Sequence, residues 1–153
     1  MRQLALDLST DVVGEPIRAA LFELGMGGGI ATFACFADGT TSMYFSRGGG
    51  NLGLGGFEQV RTAADAYRAA IGDNVWAFEA VDIAVPPAAG FVQMVAVTSE
   101  GLKMLRMPFA IAQNPEFPGH ILWVTGQELV TQVRLATQSP GTERSATTTD
   151  QPQ

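Results

Sequence analysis

Ile30-Ala31-Thr32-Phe33-Ala34-Cys35-Phe36-Ala37-Asp38-Gly39-Thr40-Thr41-Ser42-Met43-Tyr44-Phe45-Ser46 is the stretch that decides how this chain folds. Asp38-Gly39 separates two runs rich in apolar, aromatic and β-branched residues. An Asp-Gly pair in that setting is the strongest two-residue hairpin signal, because a type I′ turn needs positive φ at both central positions. The stretch predicts a strand over 30–37, a turn at 38–39 and a partner strand over 41–46. Both alternating sets of the first strand are apolar or small, which predicts cover on both faces. The turn accounts for Asp38, so no catalytic role is assigned to it.

Immediately downstream stands Ser46-Arg47-Gly48-Gly49-Gly50-Asn51-Leu52-Gly53-Leu54-Gly55-Gly56, between the second strand and a helix. A Gly-rich strand-to-helix connection is a place where bare backbone N–H groups can converge on an anion. It is equally a place where a chain needs small residues to pack. Ser46, Arg47, Gly48, Gly49, Gly50 and Asn51 are therefore the candidate ligand-binding residues, with a small anionic ligand as the expected occupant. A P-loop is excluded: the helix opens Gly55-Gly56-Phe57-Glu58, with no Lys for the phosphates and no hydroxyl for a metal. Glu58 suits the helix dipole but repels phosphate. A dinucleotide fingerprint would need a parallel βαβ setting, which a hairpin denies.

The helix itself reads from Phe57 to Ile71, with Val60, Ala63, Ala64, Tyr67, Ala70 and Ile71 on one face and Gly72 placed as a C-cap. A short strand is expected between Val75 and Ala84, ended by Pro86-Pro87. Phe91–Thr98 and Leu102–Pro108 form a second hairpin around Ser99-Glu100-Gly101. Asn114–Gly119 is a loop. A last helix is expected near Thr125, whose hydroxyl and Glu128 fit a capping box, with Leu129, Val130, Val133 and Ala136 as its apolar stripe. Upstream, Pro16 suits a first helical position, and Ile17, Ala20, Leu21 and Leu24 repeat at helical spacing before Gly25. That segment reads as a first helix, and residues 1–12 fit either a strand or a helix. Sheet elements arriving as two hairpins, with about three helices, define an α+β domain on an antiparallel or mixed sheet. The domain spans 1–137, and the Ser-, Thr-, Pro- and Gln-rich residues 138–153 read as a disordered tail.

Composition narrows the function. The 153 residues carry a formal net charge of −6, Lys103 is the sole Lys, and the Arg residues are scattered. Nucleic-acid binding is not expected from such a chain, since phosphate neutralisation needs clustered cations. One Cys and one His rule out the usual zinc sites, so no metal and no cofactor are expected. The first residues lack an uninterrupted apolar core of a signal peptide, and no apolar run suits a membrane span, so a cytoplasmic location is expected.

Five further features carry weak chemistry. Cys35 sits in an apolar strand with no basic neighbour to activate it. His120 follows a Pro-Gly loop and stands without a second His. Asp73, Glu79 and Asp82 lack the spacing of a calcium loop and read as a solvated edge. Trp76, Trp123, Phe78, Phe109 and Phe117 read as core or loop anchors, and would mark a partner surface if exposed together. Met43, Met94, Met104 and Met107 fall on predicted strands and suit either a core or an adaptable interface.

Ala37-Asp38-Gly39-Thr40-Thr41-Ser42-Met43-Tyr44-Phe45-Ser46 with Gly48-Gly49-Gly50, and Gly126 to Leu135 near the end, resemble a group of uncharacterised bacterial proteins. In that group a strand–Asp-Gly–strand–Gly-rich loop–helix unit recurs, and the resemblance implies no activity. The order of elements is also similar to the roadblock and profilin-like folds, which implies a small module that dimerises or binds protein partners. The expected function is a non-enzymatic interaction or regulatory module that self-associates as a homodimer. The competing expectation is a small-ligand or anion-binding protein, or an enzyme, built on the loop at 46–56.

Overall fold

A computed structural model describes residues 17–138. Seven antiparallel strands form one sheet in the order β4-β3-β2-β1-β6-β7-β5. In chain order these are β1 (Ile17–Met26), β2 (Gly29–Phe36), β3 (Thr41–Phe45), β4 (Gly50–Asn51), β5 (Glu79–Val81), β6 (Phe91–Thr98) and β7 (Gly101–Pro108). The helices among the described residues are α1 (Glu58–Asn74), α2 (Phe109–Ala112) and α3 (His120–Gln138). The α+β class and the antiparallel sheet agree with the sequence. The expectations for residues 1–12, for Pro16 and for 139–153 fall outside the described residues.

The first helix read from the sequence is a strand. Ile17–Met26 is β1, paired on one side with β2 through Phe22↔Phe33 and on the other with β6 through Phe22↔Met94. Its Ala, Leu and Glu residues favour helix intrinsically, but that preference is worth only tenths of a kcal/mol each, about 0–0.7 per residue. A strand covered on both faces shows no period of two, because both alternating sets are apolar. Gly25 does not end a helix. Instead its Cα faces the backbone of residue 88, where an added Cβ would lie 2.0 Å from Ala88 O.

The hairpin at 38–39 is present, but its turn differs from type I′. Gly39 has φ 95° and Asp38 does not have positive φ. Gly39 N–H donates to Phe36 O at 2.9 Å, and Phe36 N–H donates to Thr40 O at 2.9 Å. Two residues, Gly39 and Thr40, thus oppose Phe36, which is a type I turn closed by a glycine bulge. Asp38 Oδ1 accepts from Thr40 N–H at 2.9 Å, and that bond holds its carboxyl below the usual carboxylate range.

Helices α1 and α3 cover one face of the sheet. The six apolar positions read from the sequence of α1 are all buried there. Tyr67 is fully buried, and its hydroxyl donates to Leu21 O at 2.7 Å. Its ring meets Phe22 edge-on, at 5.5 Å and 75°. Gly72 does not cap the helix, which runs two residues further to Asn74. Helix α3 begins at His120, five residues before the expected start, where Leu122 N–H donates to Gly119 O. Thr125 is therefore inside the helix, its hydroxyl donating back to Ile121 O at 2.8 Å. Burial of Leu122 and half-burial of Trp123, which packs 6.1 Å from Phe22, reward the earlier turn. Helix α3 crosses the sheet at Gly126, where a Cβ would come within 2.3 Å of the Phe22 ring.

Two glycine-to-alanine substitutions should move stability in opposite directions. Gly126→Ala forces the Phe22 ring against Tyr67 and Trp123 and should cost about 1–3 kcal/mol. Gly72→Ala meets only Ile17 Cγ1 at an ordinary 3.5 Å. It should stabilise by about 0.4–1 kcal/mol through reduced unfolded-state freedom. Urea unfolding of both variants reads the two signs directly.

Candidate functional site

The Gly-rich loop divides into a turn, a strand and a helical turn. Ser46 N–H donates to Ile30 O at 2.9 Å, and Ser46 Oγ accepts from Ile30 N–H at 2.8 Å. Gly48 N–H donates to Phe45 O, which closes the turn that leads into β4. Gly50 and Asn51 then pair with Tyr44 and Met43 as the edge of the sheet. Leu54–Gly56 forms one 3-10 turn, in which Gly56 and Phe57 N–H groups donate to Gly53 O and Leu54 O. Gly55 presses onto the β2–β3 turn, where an added Cβ would be 2.1 Å from Gly39 O. The six candidate residues Ser46 to Asn51 are all exposed. Arg47 lies over the β1–β2 turn, with its guanidinium 2.7 Å from where a Cβ of Gly28 would stand. A shallow depression of about 350 Å³ opens here, walled by Met26, Ile30, Phe45 and Arg47. A second, of about 320 Å³, adjoins it along Thr32, Tyr44 and Pro86.

A different polar constellation crosses the sheet face opposite α1 and α3. Glu23, at the centre of β1, is fully buried. Its carboxylate accepts from Thr32 Oγ1 at 2.8 Å and from Gln93 Nε2 at 2.9 Å. Gln93 Nε2 also donates to Val85 O at 2.9 Å, while its Oε1 accepts from Arg106 Nε at 2.7 Å. Arg106 Nη2 donates to Val85 O at 2.8 Å. Each of these side chains is the direct cross-strand partner of the next: Thr32↔Glu23, Glu23↔Gln93, Gln93↔Arg106. The row spans β2, β1, β6 and β7 and ties the segment after β5 to the sheet. Isolated polar residues inside apolar runs are its only trace in the sequence, and a helical reading of β1 hid the pattern.

The third feature is the far edge of the sheet. Strand β5 pairs with β7 through Ala80↔Lys103, and among the described residues nothing pairs with its other side. Trp76 precedes it and is 81% exposed; Ile83 follows it and is 70% exposed. Glu79 and Ala80 are exposed, as are Asp73 and Asp82 on either side of the strand. The two tryptophans part company here: Trp123 packs on Phe22 and Phe109, while Trp76 stands in solvent.

The remaining titratable candidates are structural. Cys35 is fully buried, and burial pushes its thiol up to about 12. Burial likewise raises Tyr67 well above the ordinary phenol range. His120 is on the first turn of α3, with Nδ1 2.8 Å from Ala112 O, so that nitrogen carries a proton to donate. Met43, Met94 and Met107 belong to the core, and Met104 packs on the opposite face. Among the described residues no group of His, Cys, Asp or Glu side chains assembles as a metal site, and no helix is long and apolar enough to cross a membrane. Comparison with known proteins finds no matching family model, no similar curated protein and no similar solved structure.

Cys35 should not react with a disulfide reagent at pH 8 in the native chain and should react fully in denaturant, because only the thiolate attacks. Prompt labelling of the native chain would show that β2 opens readily. Glu23→Ala strands the donors of Thr32 and Gln93 and should cost at least about 2 kcal/mol in chemical unfolding.

Proposed function

We propose that the chain is a protein-interaction module whose working surface is the β5 edge of the sheet. The observation that carries this reading is Trp76, a large aromatic side chain left 81% exposed beside an edge strand. Tryptophan is the residue most enriched among binding hot spots, and an edge strand presents unpaired backbone donors and acceptors to an incoming chain. Ile83, at 70% exposed, extends the apolar character past the other end of β5.

The Gly-rich loop supports the competing ligand-binding reading less well. Amides at 46, 48, 56 and 57 already have partners within the loop, on β2 or on β3, and Arg47 is laid across the neighbouring turn. Small residues there serve close packing, as at Gly55 against Gly39.

Selection of random displayed peptides on the full chain tests the proposal. Selected ligands should bind the native chain and lose most of their affinity to Trp76→Ser. They should bind Leu52→Ser, altered at the opposite edge where Leu52 is 64% exposed, as well as the parent. Failure to select any ligand, or ligands indifferent to Trp76→Ser, would overturn the reading.

A further inference from the structure

Resting on that reading, we infer that the occupant of the β5 edge is an extended, basic segment of another protein, added to the sheet as an eighth strand. Residues 72–90 contain Asp73, Glu79 and Asp82 and no Lys, Arg or His. All three carboxylates are exposed: Glu79 opens β5, and Asp73 and Asp82 stand on either side of it in the chain. Across the ladder Lys103 stands opposite Ala80, and its ammonium lies 3.8 Å from Glu100. Among the described residues, the edge therefore meets an incoming chain with an excess of negative charge. Complementary potentials of this kind select partners and speed their encounter.

The same charges argue against a second copy of this chain as the occupant. An antiparallel β5–β5 pair would bring the acidic residues Glu79 and Asp82 of each copy to one shared edge, across strands only ~4.8 Å apart. Like charges facing one another across strands are destabilising. A three-residue strand also offers too few backbone bonds to offset that repulsion unaided. A foreign strand carrying Lys or Arg reverses the sign of each contact, and it keeps Trp76 and Ile83 as apolar anchors. Strand addition explains the combination: backbone bonds supply affinity, and alternate side chains supply selection.

The displayed-peptide ligands provide the test, provided each is long enough to hold a strand of about five or six residues. Ligands that depend on Trp76 should be enriched in Lys and Arg and free of internal Pro. Their affinity for the triple variant Asp73→Asn, Glu79→Gln, Asp82→Asn should fall about tenfold or more, and added salt should weaken parent binding in the same direction. Hydrogen exchange of the β5 amides should slow in the complex. Near-UV circular dichroism confirms that the triple variant is folded. Trp76-dependent ligands that are neutral or acidic, or that leave β5 exchange unchanged, would overturn this inference while leaving the interaction reading intact. So would a chain that is itself a dimer by light scattering and becomes a monomer with Trp76→Ser. Loss of the Trp76 dependence altogether would overturn both.

Discussion

Everything else in this fold depends on β1 being held between two antiparallel neighbours and covered on both faces. Its pairing with β2 and β6 joins the two halves of the sheet, which are otherwise far apart in the chain. One face of β1 presents Phe22 to Tyr67 and Trp123, so the two long helices are registered against the same ring. The Tyr67 hydroxyl reaches past that ring to the Leu21 carbonyl, a buried bond that sets how deep α1 sits. Gly126 lets α3 come close enough to share the contact. Interiors packed to crystal-like density transmit such constraints, so a change at one partner is felt by all.

The other face of β1 carries the opposite chemistry. Glu23 places a carboxylate at the centre of the sheet, where only full hydrogen bonding makes burial tolerable. Among the described residues Thr32 and Gln93 donate to it from the strands on either side, and Gln93 passes the network on to Arg106. Because the members are cross-strand partners, a slip of one residue in any strand would break the row. The row thus fixes register as well as satisfying charge. Through Val85 O it also anchors the segment that leaves β5, which connects the polar row to the proposed interaction edge.

The two ends of the sheet are finished differently. At the β4 end the chain folds back through a tight Gly-rich connection that packs on the Gly39 turn. At the β5 end a strand of three residues is flanked by carboxylates, a shape and charge that resist pairing with another acidic edge. An exposed tryptophan is out of place on an edge that is merely protected. Its exposure just before this acidic strand is the ground on which a partner is proposed for this edge.

The sequence by itself determined the parts whose cause is local. The β2–β3 and β6–β7 hairpins follow from turn residues between β-prone runs, and the buried face of α1 from apolar spacing alone. Even there, the Asp38-Gly39 pair located the turn without deciding its type, because type I with a bulge also needs positive φ only at the Gly. Only the tertiary structure decided β1, whose residues favour helix and whose double burial erases the period that would betray a strand. It also decided where α3 begins, since Phe22 rewards burial of residues before the Thr125 capping pattern. The polar row and the β5 edge were hidden for the same reason. Glu23, Thr32, Gln93 and Arg106 are distant in sequence and become neighbours through strand pairing alone, and the exposure of Trp76 rather than Trp123 is settled by which one finds Phe22.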